Sequence, residues 1–586
     1  MVKLIRENKT LVFYIGLFLG GLFLRFLMLG NHPLREVEAR WALQAWELRG
    51  GDQLGVGSRV GYLSFTSLAF QLLGGSEWIA RIWPALIGGS LIWFPYLFRE
   101  QLGERAALTA AVGLAVDPGL VTASRFAGSP LPALFFLLSG LFALNAGKLG
   151  WGVFLLGMAA FSGRDFWLGL LILWGVIALV HWFSPLDVPA WIRLRWQKMS
   201  GRVEGDPGTA SGLALPLVGL ALFASFFLRH YHGLTAWFSG FLEFLAGFTA
   251  PEGQGIFRLM LALVVYQPLP VLLGMIESIR GWIEHDRRSQ LLNLSFLGAV
   301  VVLLLYPGRQ TADLVWALLP LYGLAGLHLD RVLKGGGKRI IPLVLGGFLF
   351  VLSALSWMSF TGIIVQAGNT QSVLLQWVII LAAAALGAIA AVIVALEWSW
   401  ETARRGLMLG GGTALLLYGL SALVGSAYLR PGDPRELWVP GPGSGEVSLL
   451  RETVAEISRK QTGRSDSLSG IVYGKDPVLR WVFRDYPNLK MVTDIDNSQR
   501  PQVIITPERA AETLALEAYL GQDFLHATAP GWIGPVPSPW QTWLAFREGI
   551  LEERRVILWV RKDVVPGSEL FITESVQDLP TEAGEQ

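Results

Sequence analysis

Leu11-Val-Phe-Tyr-Ile-Gly-Leu-Phe-Leu-Gly-Gly-Leu-Phe-Leu-Arg-Phe-Leu-Met-Leu29 is followed closely by Pro33-Leu-Arg-Glu-Val-Glu-Ala-Arg-Trp-Ala-Leu-Gln-Ala-Trp-Glu-Leu48. The first stretch is apolar and long enough to cross a bilayer, which takes roughly 20 residues. Lys3, Arg6 and Lys9 precede it and no small-residue cleavage site follows, so it reads as a retained anchor with a cytoplasmic N-terminus rather than a signal peptide. The second stretch is acidic and amphipathic, and it places Glu36 and Glu38 at a membrane surface.

The rest of the chain agrees with that start. Of its 586 residues 53% are hydrophobic and only 16% charged, against about 25% charged in soluble domains. Mean hydropathy is +0.48. Further candidate spans lie near 78–97, 106–122, 130–146, 150–162, 166–183, 213–229, 258–276, 291–306, 312–327, 340–360, 375–396 and 407–428, about 13 with the first. Lys and Arg collect in alternate loops, as the positive-inside rule requires: Arg99 and Arg105; Lys148; Arg193, Arg195, Lys198 and Arg202; Arg280, Arg287 and Arg288; Arg331, Lys334, Lys338 and Arg339; Arg404 and Arg405. An odd number of spans then puts everything past about 429 outside the cytoplasm. The expected fold class is a polytopic α-helical membrane protein with a C-terminal extracytoplasmic α/β domain, in the cell membrane.

Composition changes at Arg430-Pro-Gly-Asp-Pro434. The expected organisation is a transmembrane domain 1–429 with its first outer loop at 30–77, a Pro/Gly-rich linker 430–445, a domain 446–573 and a disordered acidic tail 574–586. Within the domain, periodicity predicts helices at 447–461, 477–484 and 508–519 and strands at 470–473, 503–506 and 555–560.

A net charge of +2, dispersed over short loops, argues against a nucleic-acid partner. The absence of cysteine excludes disulfides, thiolate nucleophiles and Cys-type zinc sites. Phosphate-loop, Rossmann, nucleophile-elbow and His-Glu-x-x-His patterns are also missing from the sequence. What remains is acid and base at one membrane face. On a helix from about Leu34, Glu36 lies one turn before Arg40, an i,i+4 pair, while Val37, Trp41, Ala45 and Leu48 form a face that can lie on lipid. Glu38 has Trp41 and Ala42 at the helical spacings and hence no cation there. A carboxylate so placed, beside an apolar wall, suits proton transfer. Counter-charges come from the other outer loops: Arg59, Arg125, Arg164 beside Asp165, the group His230 to His232, Arg258, and Arg309 with Gln310. Arginines hold phosphate through paired, charge-assisted hydrogen bonds, and Arg125, Arg164 and Arg309 are the leading candidates for a lipid-phosphate clamp.

This order of elements resembles the GT-C superfamily of membrane glycosyltransferases. The nearest types are the dolichyl-phosphate-mannose protein mannosyltransferases and aminoarabinose transferases, together with the flippase-activity-associated glycosylation proteins. Glu38-Ala-Arg-Trp41 is similar to the family's Asp-Glu-Ala-x-Tyr. Gly74-Gly-Ser-Glu-Trp-Ile-Ala-Arg-Ile-Trp-Pro-Ala-Leu86 resembles its Gly-x-Ser-x-x-x-x-Arg run, Ser124-Arg125 its Ser-Arg, and Tyr306-Pro-Gly-Arg-Gln310 its late outer loop. Pro477-Val-Leu-Arg-Trp-Val-Phe-Arg-Asp-Tyr486 resembles the Trp-Tyr-Leu-Arg-Asp segment of the flippase-associated group.

The resemblance implies inverting transfer from a polyprenyl-phosphate sugar to a lipid, glycan or protein acceptor at the outer face, with a first-loop carboxylate as base. Three departures stand out: Val37 occupies the family's first-loop Asp position, Ser129 replaces an Asp after Ser-Arg, and Gly61-Tyr-Leu-Ser-Phe65 lacks His-Pro-Pro. Glu38, or Glu36 from the neighbouring position, is the carboxylate left for the role, with Arg40, Arg59, Arg125, Arg164, Arg309 and Gln310 as substrate-binding candidates. No metal ligand set is identified; a divalent metal stays open as a cofactor. Two other readings remain: a non-catalytic protein that binds lipid-linked sugars and assists a flippase or glycosylation complex, and a secondary transporter. The transporter predicts mid-membrane ionisable residues and paired broken helices, whereas most charges here lie at span ends.

Overall fold

A computed structural model describes residues 2–50, 56–183, 208–249, 253–334, 340–438, 441–494, 500–511, 518–532, 534 and 536–564. The loop cations Arg193, Arg195, Lys198, Arg202, Lys338 and Arg339, most of the predicted helix 508–519 and the tail 574–586 lie outside them. Two compact units result: Met1–His32, Gln44–Pro440 and Trp532–Ile550 form the first, Pro33–Leu43, Gly441–Gly531 and Leu551–Gln586 the second.

The first unit is helical. Among the described residues seven helices are long and apolar enough to cross a membrane, or nine if each of two bent pairs counts as one span. The chain is an integral membrane protein. The predicted span 106–122 is two helices, Glu104–Val116 and Pro118–Ser124, bent by 55°. Asp117 makes the break: its carboxylate accepts the Leu120 amide at 2.6 Å as an N-cap, and Pro118 takes the first helical position, where a missing N–H costs nothing. Tyr322 donates to the same carboxylate at 2.7 Å. The predicted span 258–276 is likewise Ile256–Tyr266 and Pro268–Ile283, bent by 96° at Gln267. Residues left unassigned by periodicity form Val60–Leu73 and Gly233–Thr249.

Arg25 is the one charge in the apolar part of the first helix, Val2–Phe26, and it is fully buried. Its guanidinium donates to Ser124 Oγ (3.1 Å) and to the carbonyls of Gly21 (2.9 Å), Ala115 (3.2 Å) and Leu114 (3.1 Å). A charge among apolar helices is tolerable only when its donors are filled in this way. It ties the first helix to Glu104–Val116 and Pro118–Ser124.

The second unit contains one six-stranded sheet, with β1 Gly443–Ser444, β2 Gly470–Tyr473, β3 Leu489–Val492, β4 Val503–Pro507, β5 Tyr519–Pro530 and β6 Leu551–Arg561 in the order β1-β5-β6-β4-β2-β3. Strand β2 runs parallel to both β3 and β4; β6 is antiparallel to β4 and β5. The apolar runs of β2 and β4 sit in the interior, as parallel strands covered on both faces must. Helix Val447–Thr462 buries Val447, Leu450, Val454 and Ser458 at helical spacing and stops at Gly463 in the left-handed region, φ 76°. Sequence periodicity found the helices at 447 and 477 and strands β2, β4 and β6, but missed β1, β3 and β5. The helix Pro477–Val482 is capped by Asp476, which accepts the Val478 and Leu479 amides at 2.8 and 3.0 Å and pairs with His526 Nε2 at 2.9 Å. Burial pushes the Asp476 carboxyl up, but His526 and the two amides outweigh it and hold it below the usual carboxylate range. A depressed carboxyl stabilises the fold above its unfolded-state pKa and loses that contribution as pH falls through its folded value. Protection of the Pro477–Val482 amides against hydrogen exchange, corrected for intrinsic rate, should therefore fall as pH drops below about 4, and Asp476→Asn should remove that dependence.

Candidate functional site

The acidic segment comes first. Its helix runs Glu36–Gly50. Glu36 meets Arg40 at 3.1 Å, the expected i,i+4 pair, with both side chains well exposed. Glu38 differs from its sequence reading: it is fully buried, accepts the Arg35 backbone amide at 3.2 Å and lies 3.4 Å from the Arg35 guanidinium. Its cation precedes the helix, at i−3, where helical spacing within 36–48 does not look. The buried residues are accordingly Glu38, Ala39, Ala42, Leu43, Ala45 and Leu48, while Val37 and Trp41 are only half-buried. Alanines let a neighbour approach closely, so packing rather than lipid sets the inward face.

The remaining candidates belong to the first unit, and each guanidinium can be followed to its partners. Arg125 donates to the carbonyls of Arg25 (3.0 Å), Leu27 (2.5 Å) and Met28 (3.2 Å) and lies over the Tyr428 ring. Those carbonyls end the first helix and lack intrahelical partners. Ser124-Arg125 is thus a clasp on the first helix, Ser124 holding Arg25 and Arg125 holding the helix end. Arg81 acts similarly on the carbonyls of Leu29 (3.2 Å) and His32 (2.9 Å). The Ser129 hydroxyl, at the family's second Asp position, accepts the Leu131 amide at 3.2 Å.

Arg59, Arg164, Arg309 and Gln310 come together, and with them two aspartates. Arg164 sends Nη1 to the Gly308 carbonyl (2.8 Å), Nη2 to both oxygens of Asp313 (3.3 and 3.2 Å) and Nε to Asp165 (3.4 Å). Arg59 pairs with the other oxygen of Asp165 at 2.9 Å. Both aspartates are 1% exposed. Asp313 also accepts the Gln310 amide at 2.7 Å while the Gln310 side chain accepts the Asp313 amide, a capping box that starts the turn Thr311–Leu314. So Gln310 shapes the loop, and Arg164 has all three nitrogens engaged.

Arg309 is different. Its Nη1 donates to the carbonyls of Leu304 (3.2 Å) and Tyr306 (2.8 Å), and its buried Nε has no partner among the described residues. Tyr306, itself buried, stacks on Phe244 with ring centroids 5.3 Å apart and donates to the Phe244 carbonyl at 3.0 Å. The residue before Phe244 is Glu243, an exposed carboxylate that accepts the Ser58 hydroxyl at 2.7 Å and makes no ion pair among the described residues. The helix bearing it, Gly233–Thr249, lies on the turn before Arg164: a Cβ added to Gly240 would come within 3.1 Å of the Arg164 amide. Asp165 and Asp313 are matched by Arg59 and Arg164, whereas among the described residues Glu243 has only the Ser58 hydroxyl. Sequence reasoning passed over it although it is the only ionisable residue in Gly-Leu-Thr-Ala-Trp-Phe-Ser-Gly-Phe-Leu-Glu-Phe-Leu-Ala-Gly-Phe-Thr. The Gln310-x-x-Asp313 spacing could have disclosed the capping box. Among the described residues, none of the His, Asp and Glu groups is arranged to hold a metal ion.

No protein-family model matches the chain and no curated protein matches its sequence. Among solved structures, ArnT from Cupriavidus metallidurans bound to undecaprenyl phosphate superimposes with a TM-score of 0.51 at 16% identity, covering 94% of this chain and 99% of that one. The chain shares the fold of ArnT. The same ArnT in its apo state gives a TM-score of 0.48, again at 16% identity, over 96% of this chain and 99% of that one. ArnT is an aminoarabinose transferase of the GT-C superfamily, the type that the sequence motifs resemble. At this identity the ArnT fold speaks for architecture, and the roles of individual side chains rest on the geometry above.

Proposed function

We propose that this chain transfers a sugar from a polyprenyl-phosphate donor to a hydroxyl of a lipid, glycan or protein acceptor at the extracytoplasmic face, with about thirteen spans, a cytoplasmic N-terminus and an outer C-terminal domain. The observation that carries the reading is a cation with unfilled donors, Arg309, held on Tyr306, and an exposed carboxylate, Glu243, next in sequence to the Phe244 that stacks on Tyr306, in a chain with the ArnT fold. The bound lipid of that ArnT structure, undecaprenyl phosphate, supports the donor class.

The chemistry asks for opposite charges at the two ends of the reacting bond. An acceptor hydroxyl must lose its proton to a base, and the departing lipid phosphate gains charge that a guanidinium stabilises. Arg309 is the phosphate ligand of this reading; Arg59, Arg125 and Arg164 build the walls that hold its loop and the first helix. Glu36, exposed beside Arg40, and Glu38, bound to Arg35, flank the family's acidic position without filling it.

The second reading, a non-catalytic protein that binds lipid-linked sugars for a flippase or glycosylation complex, draws on Val37, Ser129 and the engagement of Glu38 by Arg35. Purified protein in nanodiscs, given a panel of polyprenyl-phosphate sugars and acceptors, separates the two. Transfer predicts time-dependent release of polyprenyl phosphate. Saturable binding with no release at any donor leaves the non-catalytic reading and ends the enzymatic one.

A further inference from the structure

We propose that the carboxylate taking the acceptor's proton is Glu243, on the helix Gly233–Thr249, rather than a first-loop acid; this rests on the transferase reading above. Four observations lead there. Glu38 is buried and already bound by Arg35, and Glu36 is bridged by Arg40. Asp165 and Asp313 are 1% exposed and are matched by Arg59 and Arg164, which leaves them no role toward a substrate. Glu243 is exposed and makes no ion pair among the described residues. It is also held in place: Ser58, fully buried, donates to Oε2 at 2.7 Å, so the hydrogen bond fixes the carboxylate and leaves Oε1 for a substrate.

The helix itself argues for a task. Around Glu243 it exposes Phe238, Leu242, Leu245 and Phe248, an apolar surface suited to lipid. One residue on, Phe244 supports Tyr306, whose carbonyl accepts from Arg309. In the proposed arrangement the donor's phosphate lies on Arg309 and its anomeric carbon toward Glu243.

In the step, the acceptor O–H bond breaks and its proton passes to Oε1 of Glu243. The acceptor oxygen bonds to the anomeric carbon while the carbon–oxygen bond to phosphate breaks, and that electron pair leaves with the polyprenyl phosphate. Configuration inverts, and the proton is released from Glu243 to solvent after product departs.

The test compares wild type, Glu243→Gln, Glu243→Asp, Glu36→Gln and Glu38→Gln in nanodiscs. It measures undecaprenyl phosphate binding, kcat for polyprenyl phosphate release and the pH profile of kcat/KM. General-base catalysis typically contributes about 10²–10⁴-fold, so Glu243→Gln should lose that much kcat with lipid binding within about threefold of wild type, and its residual rate should lack the acid limb of the wild-type profile. Glu243→Asp should recover part of the rate with the limb restored. Glu243→Gln turning over within a few-fold of wild type, or keeping the acid limb, overturns the proposal. So does a loss confined to Glu36→Gln or Glu38→Gln, which returns the base to the first loop and leaves the transferase reading standing. A wild type that binds lipid without releasing polyprenyl phosphate overturns both.

Discussion

Arg164→Ala is expected to destabilise the helical unit by about 3–5 kcal/mol, the usual cost of removing one partner from a buried ion pair. The side chain is 18% exposed and its partners Asp165 and Asp313 are 1% exposed. Removing it withdraws four hydrogen bonds, to Gly308, to both oxygens of Asp313 and to Asp165. Most of the cost comes from what stays behind: Asp165 keeps Arg59, but Asp313 is left a buried carboxylate whose remaining donor is the Gln310 amide. Neutralising the orphan should therefore recover part of the loss, so Arg164→Ala with Asp313→Asn should be more stable than Arg164→Ala alone. Arg164→Lys should fall between, because an ammonium cannot reach three acceptors in a planar fork. Thermal unfolding of the purified variants in one detergent checks the ranking. Arg164→Ala within about 1 kcal/mol of wild type, the range of an exposed pair, would mean that the cluster is not a buried network.

The second large effect concerns affinity rather than stability. Arg309→Ala should weaken undecaprenyl phosphate binding roughly 10–100-fold, since hydrogen bonds to a charged group are worth about 1.5–3 kcal/mol and each 1.4 kcal/mol is tenfold. Arg309 also holds the Leu304 and Tyr306 carbonyls through Nη1. Arg309→Lys distinguishes the two roles: a lysine restores positive charge toward phosphate but cannot serve the carbonyls and a ligand together. Recovery of most of the affinity by lysine points to charge, whereas equal losses in both variants point to loop geometry. Arg125→Ala should behave otherwise, loosening the end of the first helix, because Arg125 donates to the carbonyls of Arg25, Leu27 and Met28 there.

The membrane character was legible because lipid imposes a simple demand, a long apolar run, that seven of the described helices meet on their own. The bent pairs were harder. Asp117-Pro118 and Gln267-Pro268 sit inside runs that hydropathy averages over, and only cap and proline chemistry marks the break. In the C-terminal domain β2 and β4 announce themselves as short apolar runs, while β5 reads Tyr-Leu-Gly-Gln-Asp-Phe-Leu-His-Ala-Thr-Ala-Pro, polar and half-exposed, and takes its strand form from pairing with β6. The site divides in the same way. Glu36–Arg40 follows from helical spacing, but the partner of Glu38 lies outside the helix at Arg35. Arg59 and Arg164 look like phosphate ligands in sequence because their counter-ions are remote: Asp313 lies 149 residues from Arg164, and no local pattern joins them. Glu243 is a different case. Its isolation in an apolar segment was visible, and attention to charged span ends passed it by.

The account stands most directly on where a polyprenyl phosphate binds. A cryo-electron microscopy map of the full chain in nanodiscs with undecaprenyl phosphate should show the phosphate within hydrogen-bond distance of Arg309. Phosphate density on Arg125, or beside Glu36 and Arg40, with Arg309 and Glu243 both untouched, would contradict it.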